Sequence, residues 1–255
     1  LHLSHPDPTG HDGNERHVVA TADGVIVGYG HLDLSSPTED ATAELAVDPT
    51  QRRRGLGRDI VAALLEAAGA EPMRLWAHGT ASGAAELATS LGFVRERVLF
   101  QMRRPLSVPL PTPSLPDDID VRAFRVGTDE DAWLAVNARA FVALPDQGGW
   151  TMADLQRRIE QPWFSPDGFL MAWRGDKLVG FHWTKVHSAH EFGGHHHDPV
   201  GEVYVVGVDP DCRGEGLGRA LTILGLDYLR ALGLTQSMLY VDGENAAAIA
   251  LYEGL

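Results

Sequence analysis

One stretch of this chain occurs twice, and the repeat constrains the fold more than any other feature of the sequence. The segments "LAVDPTQRRRGLGR" (45–58) and "VGVDPDCRGEGLGR" (206–219) share Val-Asp-Pro, an arginine and Gly-Leu-Gly-Arg at the same spacing. In each copy a β-rich run enters an Asp-Pro turn, and an amphipathic helix follows the glycines. The chain is therefore predicted to be an internal duplication of one strand-turn-helix domain.

A proline-rich segment separates the two copies. "PLSVPLPTPSLPDD" (105–118) predicts an extended linker between a domain at 1–104 and a domain at 119–255. Each half shows a hairpin signal, at Asp23-Gly24 and at Gly175-Asp176, followed by a strand, a helix, a strand and an alanine-rich helix. The first half then ends in "GFVRERVLFQMRRP", a predicted final strand. This order predicts a mixed, mostly antiparallel sheet with flanking helices in each half, an α/β or α+β fold.

Both ends of the chain lack parts of this pattern. The opening "LHLSHPDPTGHDG" gives no clear first strand or helices, and "YEGL" stops where the first half continues into a strand. We therefore expect the first domain to be truncated at its start and the second at its end.

Composition argues against several classes of partner. The net charge of −14 opposes general binding to nucleic acid or to a membrane surface. Cys212 is the only cysteine, so no intrachain disulfide can form. No apolar run in the sequence is long enough to span a bilayer. We expect a cytoplasmic monomer that binds small molecules.

The repeated turn has the chemistry of a phosphate-binding site. Glycines at a helix start leave the backbone accessible, and the free N–H groups of the first turn attract an anion. Arg213 and Arg219 add local positive charge to the second copy. Neither copy is a Walker loop or a dinucleotide fingerprint, since the Lys-Ser/Thr and G-x-G-x-x-G patterns are absent there. A ligand-free glycine cap is the alternative, and its duplication in the same context argues against it.

These motifs resemble those of the GNAT acetyltransferase superfamily, in which this loop binds the pyrophosphate of acetyl-CoA. The resemblance spans both halves and implies acetyl-CoA as cosubstrate, with strand backbone groups along the pantetheine arm. The implied cofactor-binding residues of the second copy are Val206, Gly207, Val208, Arg213, Gly214, Glu215, Gly216, Leu217, Gly218, Arg219 and Asn245. Those of the first copy are Leu45, Ala46, Val47, Arg52, Arg53, Arg54, Gly55, Leu56 and Gly57.

Two residues of the second half are candidates for proton transfer. Acetyl transfer to an amine requires a base for the ammonium, donors for the oxyanion and a proton for the leaving thiolate. Glu202, on the strand that enters the turn, is the candidate base, acting directly or through water. The resemblance places Tyr252 near the thioester sulfur as general acid. A solvated carboxylate and a core aromatic remain the structural alternatives.

The first half lacks both groups. Alignment of the Val-Asp-Pro turns puts Ala41 opposite Glu202, and alignment of the final helices puts Ala88 opposite Tyr252. Glu44 is predicted to point to the other face of its strand. We expect that the second domain catalyses, whereas the first binds acetyl-CoA or is vestigial.

Further strings resemble a narrower family, the mycothiol synthases of actinobacteria, which are tandem GNAT enzymes. They are "QMRRPL", "DQGGW", "WFSPDG" and "GFHWTKVH". That family acetylates the cysteinyl amine of cysteinyl-glucosaminyl-inositol, a thiol pseudo-disaccharide, in the last step of mycothiol biosynthesis. The resemblance implies substrate contacts from Asp146, Lys185, Tyr240 and Glu202. The family typically has Glu at the position of Asp146, so the shorter side chain puts that contact in doubt.

Other residues are less specific. Trp150, His182 and Trp183 could pack on sugar rings, although core packing is the commoner role of such side chains. His195–His197 lie in a predicted irregular loop without supporting ligand spacing, so no metal site is expected.

Two alternative functions remain open. A tandem GNAT could acetylate another small amine or a peptide N-terminus, which a panel of amines would reveal. A non-catalytic acyl-CoA sensor would bind acetyl-CoA tightly without releasing CoA.

Overall fold

The computed structural model describes residues 2–4, 14–34, 40–77, 79, 83–192 and 195–255, and within these the side chains of 2–4, 145–146, 190–192 and 195–197 are left out. The chain divides into two units, Leu1–Glu96 and Arg97–Leu255. None of the helices in the described part of the chain is both long and apolar enough to cross a membrane.

The first unit contains a five-stranded sheet in chain order. Its strands are β1 (His2–Ser4), β2 (Glu15–Ala22), β3 (Val25–Asp33), β4 (Ala41–Val47) and β5 (Met73–Leu75), and its helices are α1 (Leu56–Ala68) and α2 (Ala84–Ser90). Neighbouring strands are antiparallel except β4 and β5, which are parallel and are joined through α1. The Asp23-Gly24 hairpin is confirmed, with φ values of 51° and 78°.

Helix α1 packs closely on one face of this sheet. Ile60 and Leu64 are fully buried. A Cβ added at Gly28 would lie 2.7 Å from Ile60 Cδ1, and one at Gly30 would lie 2.7 Å from Ile60 Cγ2. The glycines of β3 thus allow the helix to approach the strand, which explains why "GYG" interrupts an otherwise apolar run.

The second unit contains a six-stranded sheet of order β6-β13-β12-β9-β8-β7 and a separate hairpin, β10-β11. The strands are β6 (Leu99–Pro105), β7 (Asp120–Ala123), β8 (Phe169–Arg174), β9 (Lys177–His187), β10 (His190–Phe192), β11 (His195–His197), β12 (Val200–Val208) and β13 (Gln236–Asp242). The helices are α3 (Glu130–Ala140), α4 (Pro145–Gly148), α5 (Met152–Ile159), α6 (Leu217–Ala231) and α7 (Ala246–Glu253). Only the β12–β13 pair of this sheet is parallel.

The six-stranded sheet separates two cores. On one face Trp133 of α3 and Leu155 of α5 pack against Trp183 and Phe181 of β9. On the other face the aliphatic residues of α6 pack against β12 and β13. Because strand side chains alternate between faces, each residue of β9, β12 and β13 can be assigned to the α3/α5 face or to the α6 face.

The strand "LFQMRRP" differs from the sequence expectation. We expected it to close the first domain, but β6 pairs antiparallel with β13 along its whole length. The two units accordingly divide after Glu96 rather than at residue 104. The proline-rich segment at 105–118 runs from β6 at one edge of the sheet to β7 at the other. It is held there by apolar side chains, since Leu106 is buried and Leu115 packs near Leu217.

Two further expectations require correction. The opening segment contains a short strand, β1, which pairs with β2. The predicted irregular loop around His195–His197 forms the hairpin β10-β11, in which His190 pairs with His197. The side chains of that hairpin lie outside the described residues.

Candidate active site

A cleft opens in the six-stranded sheet between β12 and β13. These strands pair only from Gly201 to Val203, opposite Ser237 to Leu239. Beyond this point β12 stays paired with β9 as far as Val208, while β13 stays paired with β6. The inner edges of β12 and β13 therefore diverge and leave peptide groups available to a ligand. Val206–Val208, predicted to contact pantetheine, lie on this open edge.

The second copy of the repeated turn lies at the end of β12. Asp209 caps the 3₁₀ turn Pro210–Cys212 by accepting a 3.0 Å hydrogen bond from Asp211 N. Gly214 and Gly216 have φ values of 86° and 81°, in the left-handed region that favours glycine. Gly216 is the N-cap of α6 and has no side chain to accept from the first-turn N–H groups. That helix end can therefore bind an anion.

Arginines surround this turn. Arg213 donates to Ala140 O at 3.0 Å and Arg219 donates to Gly254 O at 3.2 Å. Both partners are neutral carbonyls, so neither guanidinium charge is cancelled by these contacts. Glu215, in contrast, forms an ion pair with Arg174.

Asp209 links the turn to α3 and β9, a role that sequence reasoning missed. Its carboxylate is 1% exposed and lies 2.7 Å from Arg139 Nη2 and 3.2 Å from Lys177 Nζ. Burial alone would raise the pKa of Asp209, but the Asp211 N–H, Arg139 and Lys177 outweigh it and hold the pKa below its usual value. The turn is thus fixed by an ionised, buried cap.

The candidate base, Glu202, lies at the apex of the cleft. It is only 7% exposed and belongs to the short paired segment of β12 and β13. Its Oε2 lies 2.6 Å from Nε2 of His187, the last residue of β9. Lys185 is its cross-strand partner on β9. Carboxylate, imidazole and ammonium therefore share the α3/α5 face of the sheet.

A β-bulge follows Glu202. The β9–β12 register shifts between Val203 and Val205, which leaves Tyr204 without a cross-strand partner. Lys185 Nζ lies 4.7 Å from the ring centre of Trp163 and 5.3 Å from that of Tyr204. Arg158 Nε donates to Tyr204 Oη at 3.1 Å. The region beside the base is thus an aromatic surface carrying two cations.

Tyr240 lies on the same face as Glu202. It is two residues beyond Met238, the cross-strand partner of Glu202, and is 51% exposed. Gln101 of β6 donates to its hydroxyl at 2.8 Å. Asp146 belongs to α4, and its side chain is outside the described residues. The fold therefore brings Lys185, Glu202 and Tyr240 to one face, and leaves Asp146 untested.

Tyr252 occupies the opposite side. It packs in the core cluster of α6 and lines a small cavity with Val203 and Leu239. Because Val203 and Glu202 are adjacent on a strand, their side chains point to opposite faces. Burial raises the pKa of the Tyr252 phenol, which favours its protonated form. Asn245 caps the helix that carries Tyr252 by accepting from Ala248 N at 3.1 Å.

Two of the aromatic candidates are core residues. Trp183 is fully buried and stacks on Phe169 at 4.3 Å between ring centres. His182 is fully buried on the α6 face, where its Nδ1 lies 2.7 Å from Leu221 O. Burial lowers the pKa of His182 to about 4. Trp150 is only partly buried, and Arg158 lies 3.8 Å from its ring centre.

The first copy of the turn has similar backbone geometry. Asp48 caps its 3₁₀ turn through Thr50 N at 2.7 Å, and Gly55 is the N-cap of α1 with φ of 90°. The position of Gly214 is taken by Arg53, which has φ of 65°. A non-glycine residue in this region is strained by about 1–2 kcal/mol.

An ungapped sequence alignment of the two halves fails along the strand that enters the turn. In the first sheet β3 and β4 pair without interruption from Gly28 to Asp33, and Asp33 faces Thr42. Since β12 contains the bulge and β4 does not, the position equivalent to Glu202 is Thr42 rather than Ala41. Glu44 lies two residues beyond Thr42 and therefore on the same face, contrary to expectation.

The final helices agree with the alignment made from the sequence. Gly57 lies next to Leu87 in the first unit, as Gly218 lies next to Leu251 in the second, which puts Ala88 opposite Tyr252. Arg58 likewise bonds to the final helix of its unit, as Arg219 does in the second unit. Neither a carboxylate nor a phenol therefore occupies the equivalent positions of the first unit.

Three potential metal ligands meet on the first sheet, namely Glu15, His17 and His31. Glu15 Oε2 lies 3.9 Å from Nε2 of each histidine. Ligands of a tetrahedral zinc ion, at about 2.1 Å from the metal, lie about 3.4 Å apart, so these side chains would have to move closer together to bind one.

Comparison with known proteins identifies the class to which this fold belongs. A model of the acetyltransferase (GNAT) family matches residues 133–255, and a model of the acetyltransferase (GNAT) domain matches residues 13–95. A GCN5-related N-acetyltransferase structure from Sphaerobacter thermophilus superimposes with a TM-score of 0.71 and 26% identity, over 93% of this chain and 75% of that one. The chain thus contains two GNAT domains, and enzymes of this class use acetyl-CoA as acetyl donor.

Curated relatives narrow the class. A mycothiol acetyltransferase from Acidothermus cellulolyticus is 54% identical over 90% of this chain and 72% of its own length. Another, from Geodermatophilus obscurus, is 53% identical over 99% of this chain and 81% of its own length. The chain belongs to the mycothiol acetyltransferase family of N-acetyltransferases.

Proposed function

We propose that the second unit transfers the acetyl group of acetyl-CoA to the cysteinyl amine of cysteinyl-glucosaminyl-inositol, completing mycothiol. The observation that carries the proposal is a buried carboxylate, Glu202, at the apex of a cleft whose far end is an anion-binding helix start. The shared family with the mycothiol acetyltransferases supports this choice of substrate. The acceptor is a small molecule, and we propose that the enzyme acts on it as a cytoplasmic monomer.

The cleft accounts for the orientation of the cofactor. The pyrophosphate would bind the N–H groups around Gly216, with charge supplied by Arg213 and Arg219. The pantetheine arm would follow the open edge of β12, which brings the thioester toward Glu202. The first copy of the turn could hold a second acetyl-CoA, but the unit around it offers no counterpart of Glu202 at Thr42.

The proton balance assigns a role to each candidate. The substrate ammonium gives one proton to Glu202, and the free amine attacks the thioester carbonyl. Collapse of the tetrahedral intermediate breaks the C–S bond, Tyr252 protonates the leaving thiolate, and the nitrogen gives its second proton back to Tyr252. The products are the amide, CoA and the one proton that Glu202 releases to solvent. Tyr252 and Glu202 lie on opposite faces of the sheet. A thioester bound in the opening between β12 and β13 would be accessible to both of them.

The acceptor face matches a hydroxyl-rich pseudo-disaccharide. Tyr240 and Lys185 offer hydrogen-bond donors, and Trp163 and Tyr204 offer flat apolar surfaces beside them. We propose that Asp146 completes this set from α4. A peptide N-terminus would instead need an extended groove.

The test is a product assay. The protein is incubated with acetyl-CoA and cysteinyl-glucosaminyl-inositol, and acetylated product is measured by mass spectrometry, because the substrate carries its own thiol. We expect stoichiometric product and CoA, with a loss of about 100-fold or more in kcat for Glu202→Gln. Glu44→Gln is the matched control and should retain activity. Release of CoA without acetylated product, or a better substrate in an amine panel, would refute the substrate assignment.

A further inference from the structure

We propose that His187 is a positioning residue for the reaction, holding Glu202 ionised and correctly oriented as the base. The proposal rests on the proposed function of Glu202. The contact that carries it is the 2.6 Å distance between His187 Nε2 and Glu202 Oε2. Neither the repeated turn nor the substrate-binding strings assign a role to His187.

A buried carboxylate requires a donor if it is to remain a base. The Glu202 side chain is 10% exposed, and an unpaired carboxyl in such a place favours its neutral form, which cannot accept a proton. Lys185 is the cross-strand partner, but its ammonium is directed toward the rings of Trp163 and Tyr204. Among the described residues, the imidazole N–H of His187 is the donor in contact with this carboxylate.

The geometry also fixes which oxygen is used. His187 ends β9 and faces Val200, diagonally across from Glu202. It engages Oε2, so Oε1 is the oxygen left to receive the substrate proton. The imidazole is itself 36% exposed.

Other titratable groups on this face could also influence a pH profile. Near Glu202 on the described strands and helices they are Lys185, Tyr204, Tyr240, Asp242, Arg103 and Arg158. They are unchanged by substitution of His187, so a shift seen in the variant reports on the His187–Glu202 pair.

The test compares two substitutions in the full chain. His187→Leu removes the donor, whereas His187→Gln keeps an N–H at nearly the same place and cannot become charged. We expect His187→Leu to lower kcat at least tenfold with less than a threefold change in KM for the amine, and to move the acid limb of the pH–rate profile to higher pH. His187→Gln should restore kcat to within threefold. His31→Leu, at a residue of similar exposure (31% for its side chain) in the first unit, is the matched control and should leave kcat unchanged.

A spectroscopic measurement tests the role of His187 independently of which amine the enzyme acetylates. Infrared difference spectra at neutral pH give the protonated fraction of Glu202, identified by the band that Glu202→Gln removes. We expect a larger protonated fraction in His187→Leu than in the wild type or His187→Gln, whichever amine is the substrate. Equal fractions in all three proteins, or a pH–rate profile of His187→Leu that superimposes on the wild type, would overturn the positioning role. Full activity of Glu202→Gln would overturn the base assignment instead.

Discussion

Substitution of the glycine at each helix start tests which copy of the turn holds the acetyl donor. Gly216 and Gly55 have φ values of 81° and 90°, and an added Cβ would meet no atom within 4 Å at either place. The cost of alanine is therefore purely conformational, about 1–2 kcal/mol for a left-handed residue. The two substitutions are matched in chemistry, geometry and local cost.

The conformational strain of the alanine is expected to weaken acetyl-CoA binding. The free variant can relax by moving the turn away from the left-handed region, but acetyl-CoA binding must restore it. Affinity then falls by up to the full strain, which corresponds to about 5–30-fold in Kd. We expect Gly216→Ala to raise the KM for acetyl-CoA by this factor with little change in kcat, and Gly55→Ala to leave KM unaltered.

Steady-state kinetics, calorimetric titration with acetyl-CoA and thermal unfolding are the assays. Both variants should unfold at temperatures lowered by less than the roughly 2–8 °C that the full strain would cause, because the free turn relaxes. An unchanged KM in a Gly216→Ala variant that also keeps the wild-type unfolding temperature would refute the phosphate-binding role of that turn. An equal rise in Gly55→Ala would show that the first copy contributes to turnover.

Three further predictions concern single positions. Tyr252→Phe should lower kcat about tenfold or more while preserving the unfolding temperature, since the ring still fills its cavity; an unaltered kcat would remove Tyr252 as the acid. Gly225→Ala should destabilise the second unit by about 2–4 kcal/mol in denaturant unfolding, because the added Cβ overlaps the His182 ring; a neutral effect would mean that α6 can shift freely. Arg53→Gly should stabilise the first unit by about 0.5–1 kcal/mol, because it relieves a φ of 65°, and a loss of stability would contradict the strain argument.

Comparison of the two halves illustrates the limit of alignment by sequence. Alignment on Val-Asp-Pro correctly indicated that the first half has no counterpart of Glu202. It assigned the wrong residue, Ala41, because the bulge at Tyr204 adds a residue to β12 that β4 lacks. A bulge depends on the pairing with β9, and no local pattern in "GEVYVVGV" marks it.

The sequence by itself determined the local features of this protein. The paired turns, the glycines with positive φ and both hairpins follow from short-range rules of backbone geometry, and the structure has them where these rules require. The family was also recognisable from the sequence, because its motifs are short runs of neighbouring residues.

Tertiary structure alone decided which distant residues meet. The strand Leu99–Pro105 pairs with β13 rather than with the first sheet, because strand pairing depends on available edges and not on proximity along the chain. The contact between His187 and Glu202, and the positions of Tyr252 and Glu202 on opposite faces, likewise arise from register and alternation. The second turn could be proposed as a cofactor site from its sequence, whereas the surroundings of the candidate base, Glu202, required the fold.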